Sequence, residues 1–517
     1  MQKILYLAVF VSGMITLAIE MAASRLLGNV FGTSNLVWAS IIGLILIYLA
    51  VGNYLGGILA DRYPRFSTFF IIQIWSAVAI ALVPVISKPI LRMSADAFDQ
   101  LQLGVLFGSF LTVFIILCIP IILLGTISPF AIRLAINDTQ TSGRLSGKIY
   151  ATSTMGSFVG AFLPVLVLIP TLGTYRTFLV LAALLAVMGL VGLGWSSGRK
   201  AVFYYLWIPI LILALFIWGL FGNTKSTPEL IYETESEYNY IQVLEVDGYR
   251  LLRLNEGQGI HSVYHPEIIN YYGPWEIMLV GPFFNSVPYP VEKLNKIAII
   301  GLAAGTTAHQ ASILFPGVEI DGFEIDPKIV EIGQKYFDMN QPNLNIIIQD
   351  GRWGLERTDG NYDLISIDAY RPPYIPWHFT TKEFFELVHR KLSSQGVMAI
   401  NVGRSPEDRR LVDALGTTIH SVFPSVHVMD VPNSFNTIIF ASVKPTIEMD
   451  LESNYANLLN QPEINPLLLE SIKTTLDNMQ PQPESGPIFT DDLAPVEWIT
   501  NNMVLNFLLT GDREVLK

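Results

Sequence analysis

The sequence predicts an N-terminal all-α transmembrane helix bundle, then a small β-strand domain, then a Rossmann-like α/β domain. Three observations carry that reading. Residues 1–222 are apolar and sparsely charged, residues 223–517 are acidic, and from residue 295 onward short apolar runs end repeatedly in glycine or an acid. A length of 517 residues already asks for more than one domain. The boundaries read from composition are 1–222 for about seven membrane helices, 223–290 for the β-domain, 291–445 for the α/β domain and 446–517 for a helical extension.

The charge division is steep. Of 32 Lys and Arg and 44 Asp and Glu, residues 1–222 hold 12 and 5, a net of +7, which leaves 20 and 39, a net of −19, for the remainder. An acidic half repels phosphates, so no nucleic acid is expected as a partner, whereas cationic small molecules remain compatible. Cys118 is the single cysteine, so no disulfide forms within the chain, and no metal site is expected.

A hydrocarbon core of about 30 Å needs about 20 apolar helical residues. Runs of that length fall at 4–24, 36–60, 67–87, 104–127, 149–172, 174–196 and 201–222, with 88–102 read as an amphipathic stretch in the interface. The opening Met1-Gln2-Lys3-Ile4-Leu5 lacks a following small-residue cleavage pattern and is read as a retained first helix. Counting Lys and Arg at the helix ends gives eight on the N-terminal side and five on the other, a bias that places residues 223–517 outside. Glu20, five residues before Arg25, is expected at a helix end where both reach the headgroups. The run Gly56 to Arg65 resembles the loop between the second and third helices of major facilitator transporters, with Pro64 where that motif has glycine. Gly156, Gly160 and Ala161 are expected to allow close helix packing.

In the soluble half, Tyr240 to Leu254 alternates as a strand pair around an Asp247-Gly248 turn, since both turn residues tolerate positive φ. From Lys296 a short buried strand is followed by Gly301-Leu302-Ala303-Ala304-Gly305 and a helical run. That order lets a nucleotide approach the backbone. A second strand, 318–323, ends in Glu324, about 20 residues after the glycine turn, where an acid suits ribose hydroxyls. A third, 346–348, leads to Asp350-Gly351, and a fourth, Tyr362–Ile367, leads to Asp368. Polar groups at successive strand ends converge on one edge of a parallel sheet, where ligands bind. Asp326 before Pro327 reads as a helix cap.

These motifs, in this order, resemble the spermidine synthase (polyamine aminopropyltransferase) family, including its β-domain opening Glu235-Ser236-Glu237-Tyr238-Asn239-Tyr240-Ile241, over roughly 230–442. The membrane region and Thr490-Asp491-Asp492-Leu493-Ala494-Pro495-Val496-Glu497 look like the bacterial membrane-fused branch. The resemblance implies a Rossmann-like, methyltransferase-type fold and a membrane-anchored aminopropyltransferase. Its co-substrate would be decarboxylated S-adenosylmethionine or S-adenosylmethionine, its acceptor a small-molecule amine. A lipid bilayer and self-association into a homo-oligomer complete the expected partners. It implies Gly301, Gly305, Glu324, Asp350 and Gly351 around the nucleoside, with Glu324 on the ribose and Asp350 on the adenine amino group. Asp368 would hold the attacking amine, and residues 369–379 would gate the site. Tyr370, Arg371, Tyr272, Glu276, Asp491 and Asp492 are the expected substrate and gate residues. A cytosolic donor argues for the opposite side of the membrane from the charge bias.

Two departures bear on the substrate. Ala304 stands where the resemblance asks for an acid that grips the donor amine, and Asp368-Ala369-Tyr370-Arg371 replaces Asp-Ser-Ser-Asp. Arg371 repels a diamine or binds a carboxylate through its fork, unless it points outward and pairs with Asp491 or Asp492. Two other functions therefore stay open: a transporter or sensor with a non-catalytic polyamine- or nucleoside-binding domain, and an S-adenosylmethionine-dependent methyltransferase or aminocarboxypropyl transferase.

Overall fold

A computed structural model describes residues 2–31, 35–101, 105–136, 139–218, 227–255, 259–370, 375–405 and 408–510. The chain divides into two compact units, Met1–Thr227 with Glu235–Asn239, and Pro228–Thr234 with Tyr240–Lys517.

The first unit is helical. Six stretches among the described residues are long and apolar enough to cross a membrane: Gln2–Gly28, Trp38–Arg62, Phe66–Ser87, Thr112–Ala135, Ser142–Ser197 and Arg199–Trp218. The fifth, 56 residues long, contains the two runs expected at 149–172 and 174–196. They are separated by Gly173, whose φ of 79° and ψ of 166° break the helix. Residues 88–101 continue the helix Phe66–Leu101 instead of forming a separate interfacial element. Small residues do set the packing: a Cβ on Gly156 would lie 2.0 Å from the Phe10 carbonyl oxygen, and one on Gly160 2.0 Å from that of Met14. Only glycine admits that approach, and van der Waals contact between backbones follows. Leu46, Ile119, Leu166 and Ile210 point apolar side chains outward. Asp61, on the helix Asn35–Arg62, pairs with Arg133 at 3.0 Å. Arg25 donates to the Ser236 and Tyr238 carbonyls, and Glu235 accepts from the Thr174 amide at 3.1 Å and its hydroxyl at 2.6 Å.

The second unit begins with a four-stranded sheet in chain order, β1 (Leu230–Glu235), β2 (Tyr240–Val246), β3 (Tyr249–Leu254) and β4 (Ile260–Tyr264). Asp247 and Gly248 join β2 to β3 with φ of 50° and 86°, the geometry that a two-residue hairpin needs. An eight-stranded sheet follows. Its strands are β5 (Lys296–Ile300), β6 (Glu319–Glu324), β7 (Leu344–Ile348), β8 (Tyr362–Ile367), β9 (Leu392–Gly403), β10 (Ser425–Asp430), β11 (Asn436–Ser442) and β12 (Met479–Gln480). The spatial order is β12-β10-β11-β9-β8-β5-β6-β7. Strands β7, β6, β5, β8 and β9 are parallel, and β11, β10 and β12 add antiparallel pairs. The fold is Rossmann-like with the methyltransferase-type antiparallel edge. The helical extension is thus built into the sheet through β12.

Period-two alternation explains the core. Ile297 and Ile299 of β5 face one apolar layer while Ala298 and Ile300 face the other, and all four are buried. Burying each isoleucine contributes about 1.5–3 kcal/mol. Helices on both faces explain why these strands are apolar throughout. From β5 the chain runs outward through β6 and β7, then returns to β8 on the other side. That reversal opens a crevice at the carboxyl ends of β5 and β8.

Candidate active site

Strand register brings the site together. Ile300 pairs with Phe323 on one side and Ile367 on the other. The next residue on each strand is Gly301, Glu324 and Asp368, so the two acids flank the glycine turn. Glu324 in turn lies level with Ile348, two residues before Asp350.

The turn itself needs unusual backbone. Gly301 has φ of 86°, Ala303 48° and Gly305 91°. A Cβ on Gly301 would sit 2.5 Å from the Asp368 carbonyl oxygen, so glycine is required by space as well as by φ. Gly305 starts the helix Thr306–Leu314. β4 braces the turn: the Ala304 amide donates to the Ser262 hydroxyl at 2.9 Å, and Thr306 exchanges hydrogen bonds with the Val263 backbone. Ala304 itself is buried and offers no polar side chain.

Glu324 is buried, and its two oxygens accept from the Ala303 amide at 2.9 Å and the Asp326 amide at 3.0 Å. Burial pushes its carboxyl up to about 7, against the pull of those two amides and with a smaller push from the Asp326 charge. Asp326 caps the next helix, accepting from the Lys328 amide at 2.9 Å, as its place before Pro327 predicts.

Asp350 caps the helix Gly351–Arg357 through Oδ1, which accepts from the Arg352 and Trp353 amides at 3.0 and 3.1 Å. Its Oδ2 lies 3.1 Å from His378 Nε2. Burial works to raise this carboxyl, but the His378 bond and the two amides outweigh it and hold the group below the usual carboxylate range. Gly351 is tight against Ile300, since a Cβ would meet its Cγ2 at 2.4 Å.

Asp368 follows β8 directly. Its Oδ1 accepts from Asn401 Nδ2 at 2.9 Å, and burial pushes its carboxyl up to about 6 while the amide bond pulls the other way. Asn401 is buried on β9, and its Oδ1 has no partner among the described residues. Sequence reasoning missed both Asn401 and His378. The signal for Asn401 was one polar residue in the apolar run Val397 to Val402 of a central strand.

The expected substrate and gate residues are placed less uniformly. Tyr370 Oη donates to the Asn401 carbonyl at 3.2 Å, so its ring braces the end of β9 beside Asp368. Arg371 and Tyr374 lie outside the described residues. Tyr272, one expected acceptor contact, sits at φ of 54° and is 75 % exposed. Glu276 is another expected acceptor contact. It is buried, and its carboxylate accepts from the Gly273 amide at 2.8 Å and Gln310 Nε2 at 2.9 Å, closing the turn at Pro274–Met278. Asp491 pairs with Arg352 through both guanidinium nitrogens, at 2.8 and 2.6 Å, because the helix capped by Asp350 presents that arginine to it. Asp492 is exposed. A cavity of about 470 Å³ bordered by Thr417, His420, Ser425, His427 and Gln482 lies at the start of β10, the sheet edge opposite these strand-end acids.

Comparison with known proteins agrees with this geometry. The profile of the Spermine/spermidine synthase domain matches residues 283–452. A polyamine aminopropyltransferase of Vibrio vulnificus is 31% identical over 249 residues, covering 45% of this chain and 79% of that protein. The chain belongs to the spermine/spermidine synthase family. Another family member, the probable polyamine aminopropyl transferase of Bifidobacterium longum, is 33% identical over 218 residues, which are 41% of this chain and 47% of that protein. The match therefore spans about half the length of that relative. Among solved structures, the spermidine synthase of Thermotoga maritima aligns with a TM-score of 0.40 and 20% identity, over 48% of this chain and 84% of that one.

Proposed function

We propose that this family member is a membrane-anchored transferase that moves an alkyl group from an adenosyl-sulfonium donor to an amine, with aminopropyl transfer the leading reaction. The observation that carries the reading is the meeting of Glu324, Asp350 and Asp368 at neighbouring carboxyl ends of one parallel sheet, around a glycine turn. In this reading Glu324 receives the ribose hydroxyls, Asp350 the purine amine and Asp368 the acceptor amine. Six long apolar stretches among the described residues support the anchoring.

The chemistry follows from these groups. An amine with a pKa near ~10 carries a proton at neutral pH and is no nucleophile until it loses it. Asp368, raised to about 6, remains ionised at pH 7 and is a stronger proton acceptor than an ordinary aspartate. The freed nitrogen lone pair attacks the carbon bonded to sulfur. The carbon–sulfur bond breaks, its electron pair neutralises the sulfonium, and the nucleoside leaves as a thioether. No acid is needed for that leaving group, so orientation of the two reactants supplies most of the acceleration.

Two observations support a second reading with the intact donor. Ala304 carries no acid for an aminopropyl amine, and the chain is also 27% identical over 189 residues to putrescine N-methyltransferase 1 of Nicotiana tabacum. Incubating the purified protein with labelled decarboxylated or intact S-adenosylmethionine and a panel of amines separates the two by product mass. Aminopropylated product supports the leading reading, and methylated or aminocarboxypropylated product supports the second. Absence of any product with every amine and both donors overturns the transferase reading.

A further inference from the structure

The Thr490-Asp491-Asp492 turn plays no part in the proposed chemistry, yet it is wired to the base-binding end of the site. Asp491 takes the Arg352 fork at 2.8 and 2.6 Å and the Thr381 hydroxyl at 2.7 Å. Its own amide donates to Glu383 Oε2 at 3.0 Å, and the Lys382 amide donates to the Phe489 carbonyl at 2.9 Å. The turn is thereby fixed to the segment after the gate at several points.

Arg352 carries the connection inward. It is the second residue of the helix capped by Asp350, and its Nη1 also donates to the His378 carbonyl at 3.1 Å. His378 then reaches back to Asp350 Oδ2 through Nε2 at 3.1 Å. Asp350, Arg352 and His378 form a closed ring, and Asp491 holds the arginine from outside it. Asp350 is ionised at neutral pH and can only accept, so Nε2 is the protonated nitrogen of His378.

The two oxygens of Asp350 are then unequal. Oδ1 is committed to two helix amides, while among the described residues Oδ2 carries only His378 and keeps a second acceptor direction. We infer that Asp491, acting through Arg352 and His378, positions Asp350 Oδ2 to select a 6-amino purine over a 6-oxo purine. The inference rests on the nucleoside reading above. A 6-amino group donates to that oxygen, whereas a 6-oxo group confronts it with a second acceptor. A carboxylate free to swing or to take up water loses that discrimination. Arg352 and Asp491 retain 24% and 40% side-chain exposure, so the pair adds little to stability. What it supplies is direction, because a two-bond guanidinium fork fixes geometry as well as charge.

The test uses the full chain purified in detergent and equilibrium binding of 5′-methylthioadenosine against 5′-methylthioinosine. Wild type is expected to prefer the amino nucleoside. Asp491→Ala and His378→Leu are each expected to reduce that preference by about tenfold, the scale of a lost polar contact in a discriminating site. His378→Gln keeps an N–H at similar reach and is expected to retain it. The double variant Asp491→Ala with His378→Leu should lose no more than one single variant, since the residues act in series. A preference ratio does not depend on the folded fraction, so partial misfolding leaves it readable. An unchanged ratio in both single variants overturns the inference, as does wild type binding the two nucleosides equally, while the nucleoside reading survives either result. Failure of wild type to bind either nucleoside overturns both.

Discussion

Asn401 donates its side-chain amide to Asp368 at 2.9 Å, and that bond pulls down a carboxyl that burial pushes up to about 6. The remaining carboxylate oxygen of Asp368 and Oδ1 of Asn401, which has no partner among the described residues, are both acceptors, a pairing that suits a cationic or N–H-rich group.

Replacing Asp368 with Asn keeps the shape and removes the base. Turnover should fall by about 100-fold or more, the usual contribution of a positioned general base. Affinity for the nucleoside product should change little, because Glu324 and Asp350 are untouched. Single-turnover product formation and equilibrium binding of 5′-methylthioadenosine measure the two separately; equal losses in both would contradict the assignment.

The reaction should show an acidic limb. Asp368 must be ionised to take the proton and its carboxyl is raised to about 6, so kcat/KM should decline as pH falls through about 6. An ordinary aspartate would hold its activity down to about pH 4. The Asn401 bond lowers this value, so Asn401→Ala should move the limb to higher pH. A pH–rate profile of both proteins decides it, and a limb that stays in place excludes Asp368 as its source.

Glu324 gives a stability prediction without substrate. Its folded value, raised to about 7, lies above the unfolded value, so its contribution is fully present below about 4.5 and is lost as pH rises through about 7. The Glu324→Gln variant does not titrate there. Relative to that variant, wild type should therefore lose thermal stability between pH 6 and pH 8, as followed by tryptophan fluorescence in detergent. A pH-independent difference would show that the buried carboxyl does not titrate in this range.

Gly301→Ala tests the turn. With φ at 86° and the Asp368 carbonyl oxygen 2.5 Å from the new Cβ, the strand end must move. Strain at such a position costs about 1 kcal/mol or more, and nucleoside affinity should drop with it. A thermal midpoint and an affinity both equal to wild type would mean that the turn tolerates a side chain.

Gly160→Leu probes the helical unit. The Met14 carbonyl oxygen is 2.0 Å from an added Cβ, so the contacting helices must separate. The melting temperature of the detergent-purified protein should fall by several degrees, as for a loss of roughly 1–3 kcal/mol by overpacking. An unchanged midpoint would show that this contact is dispensable.

The sequence by itself determined the division between apolar and acidic halves, because burial in lipid or water is a matter of composition. It also determined the parallel strands Lys296–Ile300 and Tyr362–Ile367 to the residue, because apolar runs closed by glycine or acid leave little choice of end. Glu324, Asp350 and Asp368 were legible for the same reason, Glu324 closing its strand and Asp350 and Asp368 standing two residues and one residue past theirs. Asn401 and His378 were decided only by the tertiary structure. Each lies more than 25 residues from the carboxylate it touches, and no local pattern encodes a hydrogen bond across that separation. The same holds for Glu276 and Asp491, whose partners Gln310 and Arg352 are distant in sequence. Chain packing sets Glu276 to closing a turn and Asp491 to fixing an arginine.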